Sequence, residues 1–222
     1  MKLKTTFWIL LLLCSFQSDL LAQKKWKFKK ETKGIKVYTR QVEGSNLKEL
    51  KFTVTIEARL QSIIALLMDV DAYQRWVFKC SSSENLKKEG TSTYDYYTVD
   101  FPWPFNDREL YAYATIEQDP ITKVVTTLNV ALPDYGPEDE DYIRIVDHEN
   151  KWIFKPIGPE KVEATYFLRS KPAGNIPNWM VNLAIDQGPV KSMKKFRVLL
   201  KEEQYKNARL DFIQDYTKLS EK

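Results

Sequence analysis

The chain has little of the chemistry that most enzymes and metal sites use. Its 222 residues include one histidine, two cysteines and seven glycines. No zinc-ligand spacing, phosphate-cradling glycine loop or serine-nucleophile elbow occurs. The single histidine, His148, lies just before Trp152 in a segment that predicts a solvent-exposed turn, and Cys80 has no recognisable histidine partner that would activate a thiolate. We therefore expect no metal, no cofactor and no catalytic residue.

Long hydrophobic stretches are also missing. The apolar run at residues 7–13 is far shorter than the roughly 20 residues needed to cross a bilayer. Lys2 and Lys4 precede this run, and a polar stretch that ends at Ala22 follows it, which is the layout of a secretory signal peptide. The pattern predicts that residues 1–22 are removed and that the protein is exported to the periplasm or the outside of the cell.

Cysteine is too scarce for a disulfide framework. Cys14 lies in the predicted signal peptide, where lipidation is disfavoured because the bulky Leu13 stands at a position that lipoprotein signals give to a small residue. A retained N-terminal anchor is the other alternative to cleavage. Cys80 is then left alone, so the exported protein is expected to be stabilised by its hydrophobic core.

The net charge of the chain is small. The chain has 34 Lys and Arg against 30 Asp and Glu, a net charge of +4. Removal of residues 1–22, which contain two lysines and one aspartate, leaves a net charge of about +3. The basic residues are scattered and are not grouped with stacking aromatics, which argues against nucleic acid as a partner. The hydrophobic content of 43% suffices for one domain with a substantial core, and we expect a monomer.

Strand and helix patterns alternate along the mature chain. Residues 35–40 and 47–57 predict an opening hairpin, and the apolar residues within 60–76 recur at helical spacing, which predicts two short helices. Six further strands are predicted at 93–101, 109–117, 122–130, 142–146, 151–155 and 162–168. The short connections between them favour an antiparallel sheet.

A long amphipathic helix is predicted at the C-terminal end. Its first apolar stripe comprises Ile176, Trp179, Met180, Leu183, Ala184 and Gln187, and its second comprises Val190, Met193, Phe196, Leu199 and Leu200. Gly188-Pro189 between the stripes should kink or restart the helix, because proline removes a backbone donor. The bend suits either a hinged lid or a helix that follows a twisted sheet. A sheet wrapped around such a helix encloses a hollow, which suggests a ligand.

Four segments in this order resemble a known family. They are Phe-Pro-Trp-Pro-Phe-Asn-Asp-Arg-Glu at 101–109, Ile-Arg-Ile at 143–145, Trp-Ile-Phe-Lys-Pro at 152–156 and Gly-Asn-Ile-Pro-Asn-Trp-Met-Val-Asn at 174–182. Together they resemble the START (steroidogenic acute regulatory protein-related lipid transfer) domains of the Bet v 1-like helix-grip superfamily, over most of residues 26–206.

The resemblance implies both a fold and a function. The fold is α+β, a curved antiparallel sheet in the order β-β-α-α-β6-α wrapped around the long C-terminal helix. The START-like domain would comprise residues 23–206, followed by a polar tail at 207–222. START domains typically hold one lipid between the sheet and this helix without a metal or redox cofactor. The implied function is non-enzymatic binding or transfer of a lipid or another apolar small molecule.

Candidate ligand-binding residues follow from strand and helix periodicity. Ala112 and Ala114 share one face of a strand, and two small side chains there leave room for a ligand. Asp95 and Tyr97 share a face of the preceding strand. From the helix, the inward stripe supplies Met180, Leu183, Ala184 and Gln187.

The charged candidates need partners if they are buried. A buried Asp95 carboxylate would be costly alone, so Arg108 or Arg144 is its expected partner, and such a pair would also suit a lipid headgroup or hydroxyl. The alternative places Asp95 in solvent at a strand edge and gives Arg108 the role of tying a loop. In START domains an arginine matching Arg144 often belongs to the polar contacts of the sheet.

Trp103 and Phe105 lie in a connection bracketed by prolines. Exposed aromatics there would line the tunnel mouth or make transient contact with a membrane interface. In the alternative interpretation, both rings plug the end of the barrel.

Two other classes of function compete with a lipid carrier. Relatives of the fold include polyketide aromatases and cyclases, so an enzyme that steers a reactive chain with polar pocket groups is one alternative. A protein-interaction module of the cell envelope is the other, and it would expose its tryptophans as anchors for a partner chain.

Overall fold

The computed structural model describes residues 25–42, 48–174 and 176–216. The expected signal peptide, residues 1–22, lies outside this part of the chain. The strands are β1 Lys27–Thr32, β2 Ile35–Gln41, β3 Lys48–Ile56, β4 Cys80–Glu89, β5 Ser92–Val99, β6 Asp107–Gln118, β7 Val125–Ala131, β8 Tyr142–Arg144, β9 Asp147–Gly158 and β10 Lys161–Lys171. The helices are α1 Leu60–Met68, α2 Tyr73–Trp76, α3 Asn178–Leu199 and α4 Glu203–Lys206, with a 3-10 turn at Val70–Ala72.

The strands form one curved sheet in the order β1-β2-β3-β10-β9-β7-β6-β5-β4. All neighbours in this order are antiparallel. The short β8 instead pairs in parallel with the start of β6, where Asp107 lies opposite Tyr142. The predicted α+β architecture, with a curved antiparallel sheet and a long C-terminal helix, is confirmed.

The sequence analysis missed two strands, and they are the two edges of the sheet. β1 reads Lys-Phe-Lys-Lys-Glu-Thr and β4 reads Cys-Ser-Ser-Ser-Glu-Asn-Leu-Lys-Lys-Glu. Natural edge strands carry charged side chains that discourage pairing with other chains, so they lack the apolar alternation that identifies a strand. The order after the short helices is therefore seven strands, and not six.

The hydrophobic core fills one side of the space between the sheet and the helices. Burial alternates along β3, where Phe52, Val54 and Ile56 point inward. The apolar side of α1 and the last turns of α3 pack on this face, with Ile63 and Phe196 almost fully buried. This half of the molecule has the close packing typical of a small domain.

The C-terminal helix α3 runs as one element through Pro189, so the predicted restart at Gly188-Pro189 is wrong. Proline lacks the N–H that would bond to the carbonyl of Ile185 one turn earlier. Beyond α3 and α4, part of the expected polar tail packs on the domain: Ile213 is buried, and the Gln214 N–H donates to Gln118 Oε1 at 2.8 Å. Within the described ranges, no helix combines the length and apolarity required to span a bilayer.

Candidate ligand cavity

A cavity of about 650 Å³ lies between the sheet and the first half of α3. Its walls come from the inner faces of β3, β5, β6, β7, β9 and β10, from the segment around α2, and from α3 itself. Most of the lining is apolar or aromatic, and it includes Leu50, Phe52, Trp76, Leu110, Ile116, Trp152, Tyr166 and Leu168. The volume lies within the ~300–1,000 Å³ range of small-molecule sites.

The hollow follows from the residue types on this part of the inner face. Ala114, Thr127, Asn129 and Ser170 line the cavity, whereas the filled half of the sheet carries residues such as Phe154 on the same face. Small and polar side chains do not reach across to the helix. The space that large apolar residues fill elsewhere is therefore left open.

Six of the predicted ligand-binding residues lie on the cavity wall. They are Tyr97, Ala114, Met180, Leu183, Ala184 and Gln187. Ala112 shares the face of Ala114 but is not on the wall, because it packs against Val70, Leu110 and Ile145 in a small separate cluster. Five predicted residues, including Ala112, are therefore not brought to the cavity surface.

Asp95 is buried behind the wall, with 1% of its surface exposed. Its carboxylate accepts hydrogen bonds from Asn85 Nδ2 at 2.8 Å, Thr93 Oγ1 at 2.8 Å and the Tyr97 hydroxyl at 2.9 Å. Burial raises the pKa of this carboxyl, and the three donors oppose the increase. The expected arginine partner is wrong, and so is the solvent-facing alternative. Neutral donors on β4 and β5 satisfy the carboxylate instead.

Arg108 ties the loop that leads into α3 to the sheet. Its Nε donates to the Pro172 carbonyl at 2.9 Å and its Nη2 to the Ala173 carbonyl at 3.1 Å. Its Nη1 donates to the Asn106 carbonyl, and the guanidinium lies 4.2 Å from the centre of the Phe101 ring. Burial lowers the pKa of Arg108. The side chain holds a loop, as the alternative interpretation proposed, and does not line the cavity.

Arg144 belongs to the other face of the sheet. Its Nη2 and Nε lie 2.6 and 2.8 Å from Glu109 Oε1, and the buried Glu109 also accepts from the Tyr96 hydroxyl at 3.2 Å. Tyr96 alternates with the cavity residue Tyr97, so this cluster points away from the cavity. The parallel pairing of β8 with β6 brings Arg144 and Glu109 together. A polar contact within the sheet accounts for this arginine.

A chain of polar side chains crosses the cavity wall from Tyr97. The Tyr97 hydroxyl, which donates to Asp95, accepts from Asn129 Nδ2 at 3.2 Å. Asn150 Nδ2 lies 3.4 Å from Asn129 Oδ1 and 3.1 Å from His148 Nε2. We call Tyr97, Asn129, Asn150 and His148 the polar ladder. All four line the cavity, and each comes from one of the strands β5, β7 and β9.

His148 was expected in an exposed turn, and that prediction is wrong. β9 begins at Asp147, four residues before the predicted strand, and His148 lies opposite Ser170 of β10. Burial lowers the pKa of His148 to about 4, against a smaller opposing effect of Asp147. The imidazole is therefore neutral near pH 7. The alternation of His148 and Asn150 with Trp152 was the available sequence signal, but polar residues at the start of a strand are easily taken for a turn.

Comparison with known proteins identifies the family and the fold. The START domain family model matches residues 12–206 of the chain. The chain belongs to the START domain family. An uncharacterised protein of Pseudomonas aeruginosa is 33% identical over 172 residues, which are 78% of this chain and 85% of the relative. Rat phosphatidylcholine transfer protein is 24% identical over 183 residues, covering 78% of this chain and 82% of the relative.

A solved structure shows the same arrangement. The crystal structure of a STAR-related lipid transfer protein fragment from Xanthomonas axonopodis superposes with a TM-score of 0.73 at 32% sequence identity, covering 80% of this chain and 99% of that one. The predicted family is thus confirmed, and the fold is the START helix-grip fold. START homologues are lipid transfer proteins, so lipid binding is supported at the level of the family.

The mouth of the cavity in this START domain has an apolar rim. Phe101 and Pro102 line the cavity, and the next residue, Trp103, is 92% exposed. On α3, Trp179 is 60% exposed and Leu183, which also lines the cavity, is 40% exposed. The alternative in which Trp103 plugs the barrel is wrong, since its ring lies in solvent at the rim.

Charge at the cavity is confined to lysines and one aspartate within the described part of the chain. Lys48, Lys79, Lys191 and Asp100 are among the lining residues, and neither Arg108 nor Arg144 is. Over the same residues, no cluster of His, Cys, Asp and Glu has a composition suited to a metal ion. The site is therefore a mainly apolar pocket whose polar lining combines neutral hydrogen-bonding groups with these four charged side chains.

Proposed function

We propose that this START domain binds one lipid or similar hydrophobic molecule in the cavity and releases it unchanged, through movement of the first half of α3. The observation that carries the proposal is a mainly apolar cavity between the sheet and that half-helix. Removing apolar ligand surface from water supplies about 25 cal/mol per Å² before ordering costs, so binding needs no covalent step.

Native mass spectrometry tests this function. The protein is purified from its own host and examined intact, and the retained molecule is extracted with organic solvent and identified. One apolar molecule per chain, recovered chemically unchanged after incubation, is the expected result. A protein that is empty and refuses a broad panel of lipids would contradict the proposal and favour a protein-interaction module.

The proposed gate is the segment 176–187, which we call the lid. Its one hydrogen bond to the sheet through described side chains joins Lys48 Nζ to Asn182 Oδ1 at 3.3 Å. Firm attachments bound the lid on both sides: Arg108 binds the Ala173 carbonyl, and Ser192 Oγ accepts from the Phe78 N–H at 2.9 Å. A weakly held segment between two fixed points is suited to opening locally.

A chemical cross-link tests the lid. Lys48 and Asn182 are replaced by cysteine in a variant with Cys14→Ser and Cys80→Ser, and a short bis-maleimide joins the new thiols. The cross-linked protein should exchange bound Nile red at least about tenfold more slowly, as expected when an opening step is blocked. The same variant without cross-linker is the control. Equal exchange rates before and after cross-linking would exclude lid opening.

Transfer also requires contact with a membrane, and the rim supports such contact. Trp103 beside the mouth is suited to the interface of a bilayer, where tryptophan is enriched. Trp103→Ser should reduce binding to phosphatidylcholine vesicles in a flotation assay. Ile121→Ser is a matched control, because Ile121 is 73% exposed in the turn at the opposite end of β6. Equal losses for both variants would contradict docking through the rim.

The enzyme alternative gains one observation from the structure, since His148 faces the cavity. However, a general base works best with a pKa near the operating pH, and the pKa of His148 is lowered to about 4. The lowered pKa makes this imidazole a weak base at neutral pH, so a passive carrier is the better supported function.

We also propose that the protein acts as an exported monomer. The support is the layout of residues 1–22, together with a ligand cavity built from a single chain. N-terminal sequencing of the mature protein should begin at Gln23, and light scattering should give the mass of one chain. An intact N-terminus in the cytoplasmic fraction would contradict export.

A further inference from the structure

The polar ladder has a defined set of unused hydrogen-bonding groups. The two Asn150 Nδ2 hydrogens point toward Asn129 Oδ1 and His148 Nε2. With Nε2 as an acceptor, the neutral imidazole carries its proton on Nδ1. Within the described chain, the donor at His148 Nδ1 and the acceptor Asn150 Oδ1 have no protein partner. Because both side chains line the cavity, one donor and one acceptor are left for a ligand.

We propose that this ladder binds the polar end of a neutral lipid, a hydroxyl or a carbonyl, and disfavours a phosphate. This inference rests on the proposed function and specifies the class of ligand. A hydroxyl matches both unused groups, since it accepts from His148 Nδ1 and donates to Asn150 Oδ1. A carbonyl matches the donor alone. The oxygens of a phosphate are hydrogen-bond acceptors and would be repelled by the acceptor Asn150 Oδ1. A phosphate is also negatively charged.

The charges around the ladder favour the same class. The ladder ends at a neutral imidazole and begins next to the buried Asp95 carboxylate, so the ladder itself contains no cation that would compensate a phosphate. The three lysines of the cavity wall, Lys48, Lys79 and Lys191, lie on β3, before β4 and on α3, and not on the strands that carry the ladder. Arg108 and Arg144 are occupied by backbone carbonyls and by Glu109. Desolvating an unpaired anion is costly. An uncharged polar end avoids this cost.

The size of the cavity agrees with a small neutral lipid. A cavity of about 650 Å³ lies within the ~300–1,000 Å³ range of sites for small molecules. Single-chain and polycyclic alcohols belong to this size class.

Three probes with the same apolar chain test the inference: octadecanol, octadecyl phosphate and octadecane. Each displaces Nile red from the full-length protein, and the concentration for half displacement is measured by fluorescence. Octadecanol should be effective at a concentration about tenfold lower than either other probe, as expected for one or two additional hydrogen bonds.

Asn150→Leu keeps the size of the side chain and removes its hydrogen-bonding groups. In this variant the preference for octadecanol over octadecane should fall, because the acceptor Asn150 Oδ1 is lost and only His148 can still bind the hydroxyl, while displacement by octadecane is unchanged. Thr127→Val is the matched control, because Thr127 also lines the cavity but lies outside the ladder, and it should retain the preference. Thermal unfolding of both variants verifies that they are folded.

The outcomes separate the two proposals. A preference for octadecyl phosphate, or a preference for octadecanol that is undiminished in Asn150→Leu, would overturn the neutral-headgroup inference and leave lipid binding intact. Failure of Nile red to bind and of all three probes to be taken up would refute lipid binding, and the inference with it.

Discussion

The two halves of helix α3 cover the same sheet but different interiors. After Pro189, Met193 and Phe196 are almost fully buried in the core. Before it, Trp179 is 60% exposed, and Leu183, at 40% exposed, lines the cavity together with Met180 and Ala184. One helix thus combines an anchor half after Pro189, which packs in the core, with the proposed lid before it, which covers the cavity.

Hydrogen bonding shows the same division. In the anchor half, Arg197 donates to the carbonyls of Lys33 and Thr55, both at 3.1 Å. In the lid half, Lys48 and Asn182 make the one side-chain hydrogen bond to the sheet among the described residues. The anchor half is therefore held to the sheet by more hydrogen bonds than the proposed lid. Under the proposed function, the lid would open without unfolding the core.

The largest expected effect is the loss of an anchor side chain. Phe196 is 1% exposed and its ring lies 4.8 Å from that of Trp76. Phe196→Ala should lower the free energy of unfolding by about 3–5 kcal/mol, as other buried Phe→Ala changes do. Leu183→Ala in the lid should cost at most about 0.5 kcal/mol, as expected at an exposed position. Urea unfolding measures both, and similar costs would remove the distinction between the halves.

The next largest expected effect is a loss of folding stability at acid pH, caused by His148 on the cavity wall. Burial lowers the pKa of His148 to about 4, below the ~6.5 of a free imidazole. Between these two pH values, the His148 imidazole is protonated in the unfolded chain and neutral in the folded protein. The stabilisation is therefore complete above the unfolded pKa and is lost as the pH falls toward about 4, by at most about 3 kcal/mol.

His148→Asn isolates this effect, because it removes the titrating ring and leaves the carboxylates unchanged. Urea unfolding at a series of pH values between neutrality and pH 4 should show a smaller loss of stability in the variant than in the wild type. Identical slopes for the two proteins would mean that His148 is not buried as an uncharged ring.

The part of the molecule that the hydrophobic core fills was easier to predict from the sequence than the part around the cavity. Its strands β2 and β3 and the helix α1 follow regular apolar periodicities. The two strands were expected within one residue of their observed bounds, and α1 lies inside the region 60–76 where short helices were predicted. The lining positions on α3, such as Met180 and Ala184, also followed from helical spacing. Periodicity reports which side of an element meets apolar neighbours, so it identifies a packed face directly.

The part around the cavity was harder to predict, because some of its inward-facing residues are polar, whereas periodicity identifies inward faces by their apolar residues. Asn129, His148 and Asn150 face inward with a polar character that normally indicates a loop or an exposed face. The partners of the charged residues depend on register: Glu109 and Arg144 are 35 positions apart and meet through a parallel strand pair. A single sequence contains no direct record of such pairing.

A third effect concerns the boundary between the lid and the sheet. Arg108→Met leaves the carbonyls of Pro172 and Ala173 without their charged donor, and it should cost about 2–3 kcal/mol. It should also accelerate Nile red release, because the lid loses the attachment at its start. Stopped-flow dilution measures the rate.

Arg197→Met is the matched control, since Arg197 also binds two backbone carbonyls but does so in the anchor half. It should lower stability by about 1 kcal/mol and leave the release rate unchanged. If both variants accelerate release equally, general destabilisation and not lid attachment controls the exchange.

The smallest effect tests whether Pro189 is the hinge between the halves. Pro189 removes the N–H that the Ile185 carbonyl would accept, so the helix lacks one backbone hydrogen bond where the lid meets the anchor. Pro189→Ala restores that donor. Release of Nile red should slow by about five- to tenfold if one bond of roughly 1 kcal/mol must break on opening. Stability should change by less than about 1 kcal/mol, because the new bond offsets the contacts of the buried ring.

A control for helix propensity is available in the same helix. Lys194→Ala lies in the anchor half at an exposed position and introduces the residue with the best helix propensity without adding a donor. It should leave release unchanged. Slower release in both variants would attribute the effect to a stiffer helix as a whole. Unchanged release in Pro189→Ala, with ligand affinity retained, would show that the lid opens by a movement that does not bend the helix at Pro189, and the fixed points at Ala173 and Ser192 would then be the places where the chain hinges.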